Sequence, residues 1–393
     1  MSLSQQILNS MQASSGIRKM FEEGARRTKE FGADQVFDFS LGNPIFEPPA
    51  EVVKALQQLA QDPTSGTHRY MPNAGLPEVR GYLAERLKEE SKLDFQTSDL
   101  IMTVGAGGGL NVILKTLLNR DEEVICFAPY FVEYDAYIQN HGGKPVVVQT
   151  GEDFHLDLDA LAKAIGKKTK ALIINSPNNP TGVVYCQEEL AALGELLRAK
   201  NRELGITLHL ISDDPYRRIS YIDEMPNIFA AYQNSLMVTS YSKDLALPGE
   251  RIGYLAISPE HQDRELLSQA AVLSLRILGF VNAPAIWQRL IPLVGDALVD
   301  LTPYKTNRDT LVQGLRGMGY ELVEPQGAFY LFPKSPIPDD RAFVKMAQEL
   351  NLLLVPGSDF GRAGHFRISY CFAPEKIKGS LPLFERLIQA AKP

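Results

Sequence analysis

Through the middle of the chain, short continuous apolar runs alternate with stretches whose apolar residues recur every three or four positions. The runs predict strands at Val124–Phe127, Pro145–Val148, Ala171–Asn175, Leu208–Ser212, Leu236–Thr239 and Tyr254–Ile257. The periodic stretches, among them Leu156–Ile165 and Gln187–Arg202, predict amphipathic helices. Strands that are apolar throughout and joined by helices imply an α/β fold, a mostly parallel sheet covered by helices on both faces. Ligands bind such sheets beyond the carboxyl ends of the strands. After about Pro303 the pattern changes. It predicts a long helix, strands at Tyr320–Val323 and Ala328–Phe332, another helix, further short strands, and a closing helix from about Glu375 to Lys392. The expected organisation is a large domain over residues 49–302 and a smaller α+β domain over 303–393. An N-terminal segment, residues 1–48, is expected to join the smaller domain. The apolar stretch Ala270–Trp287 is interrupted by Arg276, Asn282 and Pro284, and reads as a buried helix and turn rather than a membrane span.

Composition narrows the function classes. With 393 residues, 45% of them hydrophobic, the chain can bury cores for about two domains. A formal net charge of -7 argues against a nucleic-acid binder. Three dispersed cysteines, Cys126, Cys186 and Cys371, form neither a CxxC pair nor a His/Cys cluster. No metal site, disulfide framework or signal peptide is expected, and the reading is a soluble, cytoplasmic protein in a reducing compartment.

Candidate chemistry falls at the predicted strand ends. Leu236–Thr239 leads into Ser240-Tyr-Ser-Lys243, followed by a Pro-Gly turn and Arg251. Burial at a strand end depresses a lysine pKa and leaves the nucleophilic amine that Schiff-base chemistry with an aldehyde requires. Ser240 and Arg251 flank it as neutral and charged partners for a phosphate. Gly105-Ala106-Gly107-Gly108-Gly109 opens a helical pattern, so free backbone amides face outward where an anion could bind. Asn175-Ser-Pro-Asn-Asn179-Pro-Thr-Gly and Ser212-Asp213-Asp214-Pro-Tyr216 each follow a strand. In Phe366-Arg367-Ile-Ser an arginine lies inside an apolar strand, where a guanidinium needs a planar acidic partner.

Together these motifs resemble the fold-type I pyridoxal-phosphate aminotransferases, in the family's order, from about Ser14 to the C-terminal helix. The resemblance makes Lys243 the residue that holds pyridoxal 5'-phosphate. Gly105, Ala106 and Gly107, with Ser240 and Arg251, would anchor its phosphate. Asp213 would keep the ring nitrogen protonated, with Asp214 as the alternative by sequence alone. Asn179 and Tyr216 would bond the phenolate oxygen, and Phe131 would stack on the ring, with Tyr134 behind Asp213. Tyr70 would reach the phosphate of a partner subunit, which implies a homodimer with shared active sites. Arg367, helped by Asn179, would hold the substrate α-carboxylate, with Gly42 and Ile17 closing over the substrate. The implied activity moves an amino group between an L-amino acid and a 2-oxo acid, with 2-oxoglutarate as the expected acceptor. A β-elimination or carbon–sulfur lyase on the same fold is the alternative enzyme. A non-catalytic effector-binding regulator is the alternative outside enzymes. Arg276 and Arg18 are the candidates for a distal substrate carboxylate, and neither is assigned.

Overall fold

The computed structural model describes residues 3–12 and 16–391. The strands, in chain order, are β1 (Phe37–Asp38), β2 (Leu100–Thr103), β3 (Glu123–Ala128), β4 (Lys144–Gln149), β5 (Thr169–Asn175) and β6 (His209–Asp213). There follow β7 (Ser235–Ser240), β8 (Gly253–Ile257), β9 (Tyr330–Leu331), β10 (Leu352–Leu353), β11 (Val355–Pro356) and β12 (Phe366–Ser369).

Seven strands form one sheet in the order β2-β8-β7-β6-β5-β3-β4. The pairings from β7 through β4 are parallel, and β8 runs antiparallel to both of its neighbours. Every strand except β8 therefore points the same way. All six strands predicted in this part of the chain are present. β2 completes the sheet at one edge, where only five residues separate the glycine-rich turn from a 3-10 turn.

The continuous apolar runs have a simple cause. Successive side chains in a strand face opposite sides of the sheet. Ile125, Phe127, Leu172, Ile174, Leu210 and Met237 pack in one core, while Val124, Cys126, Ile173, Ile211 and Val238 pack in another. Both faces are dry, so both positions of each alternation are apolar. Edge strand β4 differs, with two of its six residues only partly buried and three exposed. The opposite edge is protected by charge: Arg80 donates through Nε to the Leu100 carbonyl at 2.7 Å and through Nη2 to that of Thr97 at 2.7 Å.

A third core gathers Phe39 with Leu311, Leu315, Phe329, Leu331, Phe343, Ile368 and Phe384. It lies beneath two small sheets, the antiparallel β11-β12-β9 and the parallel pair β1-β10. The β1-β10 pair ties Phe37 and Asp38 to Leu352 and Leu353 across more than three hundred residues.

Several predicted boundaries are corrected. Tyr320–Val323 is not a strand: Tyr320 buries its ring against Phe343, Phe366 and Phe384 and donates its hydroxyl to the Phe384 carbonyl, without a ladder partner. Its apolar residues answer to helix packing, not to pleating. Ala328–Phe332 is a strand only at Tyr330–Leu331, because Ala328 takes a left-handed backbone with φ 56. The first of the two example helices is shorter than predicted, Leu158–Ala164, capped by the Asp157 carboxylate. Within Ala270–Trp287, Leu273 and Ile277 are exposed on helix Arg264–Ile277 rather than buried. Cys126 and Cys371 are buried, and Cys186 is exposed. No helix among the described residues is long and apolar enough to cross a membrane.

Candidate active site

The carboxyl ends of β5, β6 and β7 stop side by side at Asn175, Asp213 and Ser240. The start of antiparallel β8 lies at the same edge, since Gly253 pairs with Ser240. The polar loops that follow or precede these ends meet in a cavity of about 300 Å³. Its lining includes Gly42, Ala106, Gly107, Phe131, Asn179, Asp213, Tyr216, Ser240, Lys243, Arg251 and Arg367. Residues separated by more than three hundred positions are thus brought to one place by strand order.

Lys243 sits three residues beyond β7. Its Nζ donates to the Gly42 carbonyl at 2.8 Å and lies 5.6 Å from the centre of the Phe329 ring. Burial pulls its pKa down to about 8; the Cys371 thiol opposes that fall, and the charges of Arg251 and Arg367 add to it. A proton on this amine is therefore easily given up near neutral pH.

Asp213 is buried at the end of β6. Its Oδ2 accepts from the Tyr134 hydroxyl at 2.6 Å, and its Oδ1 has no hydrogen-bond partner among the described residues. Burial raises its pKa to about 7, against the Tyr134 bond and with help from the Asp214 charge. Asp214 points elsewhere: it accepts from Ser212 and lines a separate small cavity with Arg217 and Asp244. Of the two aspartates only Asp213 lines the main cavity, because neighbours along a strand face opposite sides. Asn175, quoted in the sequence motif without a role, locks these ends together. Its Nδ2 donates to the Asp213 carbonyl at 2.6 Å, and its Oδ1 accepts from the Asn179 amide at 2.7 Å.

The glycine-rich turn begins helix Gly105–Leu117. Gly105 has φ +69, and a Cβ there would lie 2.7 Å from Arg251 Nη2. Glycine is required twice over, for the backbone and for the guanidinium packed against it. Gly105 therefore supports the cavity from behind Arg251, while Ala106 and Gly107 line it. Arg251 is itself left-handed, with φ 54, and exposed, its Nη1 donating to the Pro248 carbonyl at 3.0 Å.

Arg367 projects from β12 and is 2% exposed. Its Nη1 donates to Asn179 Oδ1 at 3.0 Å and its Nη2 to the Ser40 carbonyl, while Nε has no partner. It lies 4.8 Å from the ring centres of both Tyr330 and Phe360. Among the described residues it makes no ion pair. The expected acidic partner is not found among the described residues, so a buried guanidinium lines the cavity with an unpartnered Nε. The Ser40–Asn43 loop touches both cations, through the Ser40 carbonyl to Arg367 and the Gly42 carbonyl to Lys243.

Tyr216 and Tyr330 share a hydroxyl–hydroxyl bond of 2.9 Å. A Cβ at Gly42 would overlap the Tyr330 hydroxyl, so the loop can approach only as glycine. Tyr330 and Tyr137 line the cavity and were not read from the sequence. Phe131 lines it as expected, edge-on to Tyr134 at 5.6 Å. Tyr70 is outside it and 92% exposed. Arg276 is exposed on its helix and does not line it. The side chains of Ile17 and Arg18 lie outside the described residues.

These residues fit pyridoxal phosphate. The orphaned Asp213 Oδ1 is a buried acceptor for a protonated ring nitrogen, and Lys243 carries the depressed amine an aldehyde needs. Backbone amides at Ala106 and Gly107, the Ser240 hydroxyl and the Arg251 guanidinium form a donor set suited to a phosphate.

The sequence pattern of aminotransferase class I and II matches residues 34–379. An aspartate/prephenate aminotransferase from Thermus thermophilus is 35% identical over 363 residues, 89% of this chain and 90% of that one. The crystal structure of an amino transferase from Eubacterium rectale superposes with a TM-score of 0.96 at 38% identity, covering 100% of both chains. Aspartate aminotransferase from Thermus thermophilus with maleate superposes with a TM-score of 0.85 at 30% identity, covering 98% of this chain and 100% of that one. The chain therefore belongs to the class I and II aminotransferases, the family that moves amino groups between amino acids and 2-oxo acids with pyridoxal phosphate.

Proposed function

We propose that this enzyme transfers the amino group of L-aspartate, and less readily of aromatic amino acids, to 2-oxoglutarate. It works as a cytoplasmic homodimer with shared active sites. The observation that carries the reading is Arg367: a guanidinium 2% exposed, without an ion-pair partner among the described residues, opening on the same cavity as the Lys243 amine. A buried charge of that kind is tolerated where a ligand completes it. An amino acid brings the carboxylate that Arg367 lacks and the amine that reacts beside Lys243.

When bound, pyridoxal phosphate supplies an aldehyde that takes up amino groups and an electron-poor ring that stabilises charge at the substrate Cα. Asp213 Oδ1 holds the ring nitrogen's proton, and Tyr134 fixes the carboxylate that does so. Asn179 and Tyr216 would hold the phenolate oxygen, and Phe131 would pack against the ring. Ser240, Arg251 and the amides of Ala106 and Gly107 hold the phosphate, with Gly105 buttressing Arg251. Lys243 Nζ would carry a proton to and from the substrate Cα as general acid and base. Arg367 and Asn179 orient the α-carboxylate, while Gly42 and Ile17 close over the substrate.

The dimer reading is supported by Tyr70, an aromatic left 92% exposed, and by the exposed Leu266, Leu273 and Ile277 on one helix. Tyr70 would complete the partner's phosphate site. Three unpaired cysteines support the cytoplasmic reading. The segment 1–48 is proposed to move with 303–393 as the small domain against 49–302, since β1 pairs with β10.

A steady-state assay of the purified, cofactor-loaded protein tests the function. Aspartate with 2-oxoglutarate should yield glutamate and oxaloacetate in equal amounts. Release of ammonia, pyruvate and sulfide from cysteine, with no glutamate formed from 2-oxoglutarate, would make the enzyme a lyase.

A further inference from the structure

Tyr137 is a polar side chain of the cavity for which the reading above has no use. It stands on helix Tyr134–Asn140, three residues after Tyr134, so the two tyrosines share a helix face. Tyr134 sends its hydroxyl to Asp213. Tyr137 sends its hydroxyl to the head of helix Gly105–Leu117, where it lies 3.1 Å from the position a Cβ on Gly107 would take. There it lines the cavity beside Gly107 and Arg251, and makes no hydrogen bond among the described residues.

From these contacts we infer that the Tyr137 hydroxyl is a further donor to the phosphate of bound pyridoxal phosphate, occupying the space that a side chain at position 107 would otherwise fill. The inference rests on the pyridoxal-phosphate reading of the site. Gly107 contributes an amide and nothing more, and a phosphate accepts more hydrogen bonds than backbone amides at one helix end supply. The hydroxyl that position 107 does not carry arrives from the neighbouring helix instead. The two arrangements compete for space: a Cβ on residue 107 would stand 3.1 Å from the Tyr137 hydroxyl, which would have to give by a few tenths of an ångström. Tyr137 lines the same cavity as Gly107 and Arg251, and its hydroxyl stands against Gly107 at the head of the helix, where the phosphate donors gather. Burial pushes the phenol up to about 12, so it remains a donor throughout the working pH range.

The test is affinity, measured by equilibrium titration of apoprotein with pyridoxal phosphate and, separately, with pyridoxal, which lacks the phosphate. Tyr137→Phe should raise the Kd for pyridoxal phosphate about tenfold and leave that for pyridoxal within about twofold. Adding Gly107→Ser to Tyr137→Phe, which returns a hydroxyl from position 107 once the tyrosine's is gone, should recover most of the lost affinity. An unchanged Kd for pyridoxal phosphate in Tyr137→Phe overturns the inference. So does equal weakening of pyridoxal and pyridoxal phosphate, which assigns Tyr137 to packing on the ring. Wild-type protein that takes up no pyridoxal phosphate is a different result, and it removes the reading beneath.

Discussion

Lys243→Ala should lower kcat by about 10⁴-fold or more while the protein still takes up pyridoxal phosphate. The loss is large because one amine has two tasks, covalent attachment and proton transfer at Cα, and acid–base catalysis alone is worth about 10²–10⁴-fold. Retention of the cofactor follows from the separate phosphate donors Ser240, Arg251 and the helix amides, which hold it without a covalent bond. In wild type, borohydride reduction should fix the cofactor to Lys243, and in the variant to no residue. The pH dependence of attachment carries a second check. A fall from 10.5 to about 8 makes free amine at pH 7 about 300-fold more abundant than on an ordinary lysine. Only the neutral amine attacks an aldehyde, so the rate of cofactor capture by apoprotein should climb with pH and level off above about 8. A rate still rising steeply at pH 9.5 would show that burial does not depress this lysine.

The second large effect is expected at Arg367. Arg367→Lys should reduce kcat/KM for amino acids by about 10²–10³-fold, with cofactor affinity unchanged. Lysine keeps the charge but not the planar fork that grips a carboxylate through two parallel bonds. Stability should move the other way. In the apoprotein the guanidinium is 2% exposed, has an unpartnered Nε and pairs with no carboxylate among the described residues. Arg367→Met, which removes the buried charge at similar volume, should leave the melting temperature of the apoprotein equal or higher. A variant that loses stability and activity together would mean that Arg367 is structural.

Most of this site was legible along the chain because its residues follow apolar runs directly. Asn179, Asp213 and Lys243 each come within a few residues of a strand whose apolar pattern announces where it stops, and parallel strands stop at a common edge. Arg367 was legible for the opposite reason, a charge where the pattern allows none. Tyr330 and Tyr137 were not legible. Both are aromatic residues among other apolar ones, and nothing local distinguishes a ring facing a cavity from a ring facing a core. Their roles depend on which elements meet, Tyr330 through β9 against the Gly42 loop and Tyr137 across from Gly107. The misread strand at Tyr320–Val323 fails similarly, since Tyr320 packs its ring on two helices and on a side chain of β12 without joining a ladder. Asn175 carried its signal in plain view, an asparagine at the last position of a strand. Its bonds to both Asp213 and Asn179 require β5 and β6 to be adjacent, which spacing does not state.

The central claim is that Lys243 and Arg367 act on one amino acid in one cavity. The most direct measurement is the absorption spectrum of the cofactor-loaded enzyme on addition of a single amino acid, with no 2-oxo acid present. The account predicts that aspartate converts the cofactor stoichiometrically from its aldehyde to its amine form, releasing one oxaloacetate per site. It also predicts that Arg367→Lys needs about a hundredfold more aspartate for the same conversion. A wild-type spectrum indifferent to every amino acid, or one that converts equally well without Arg367, would contradict it.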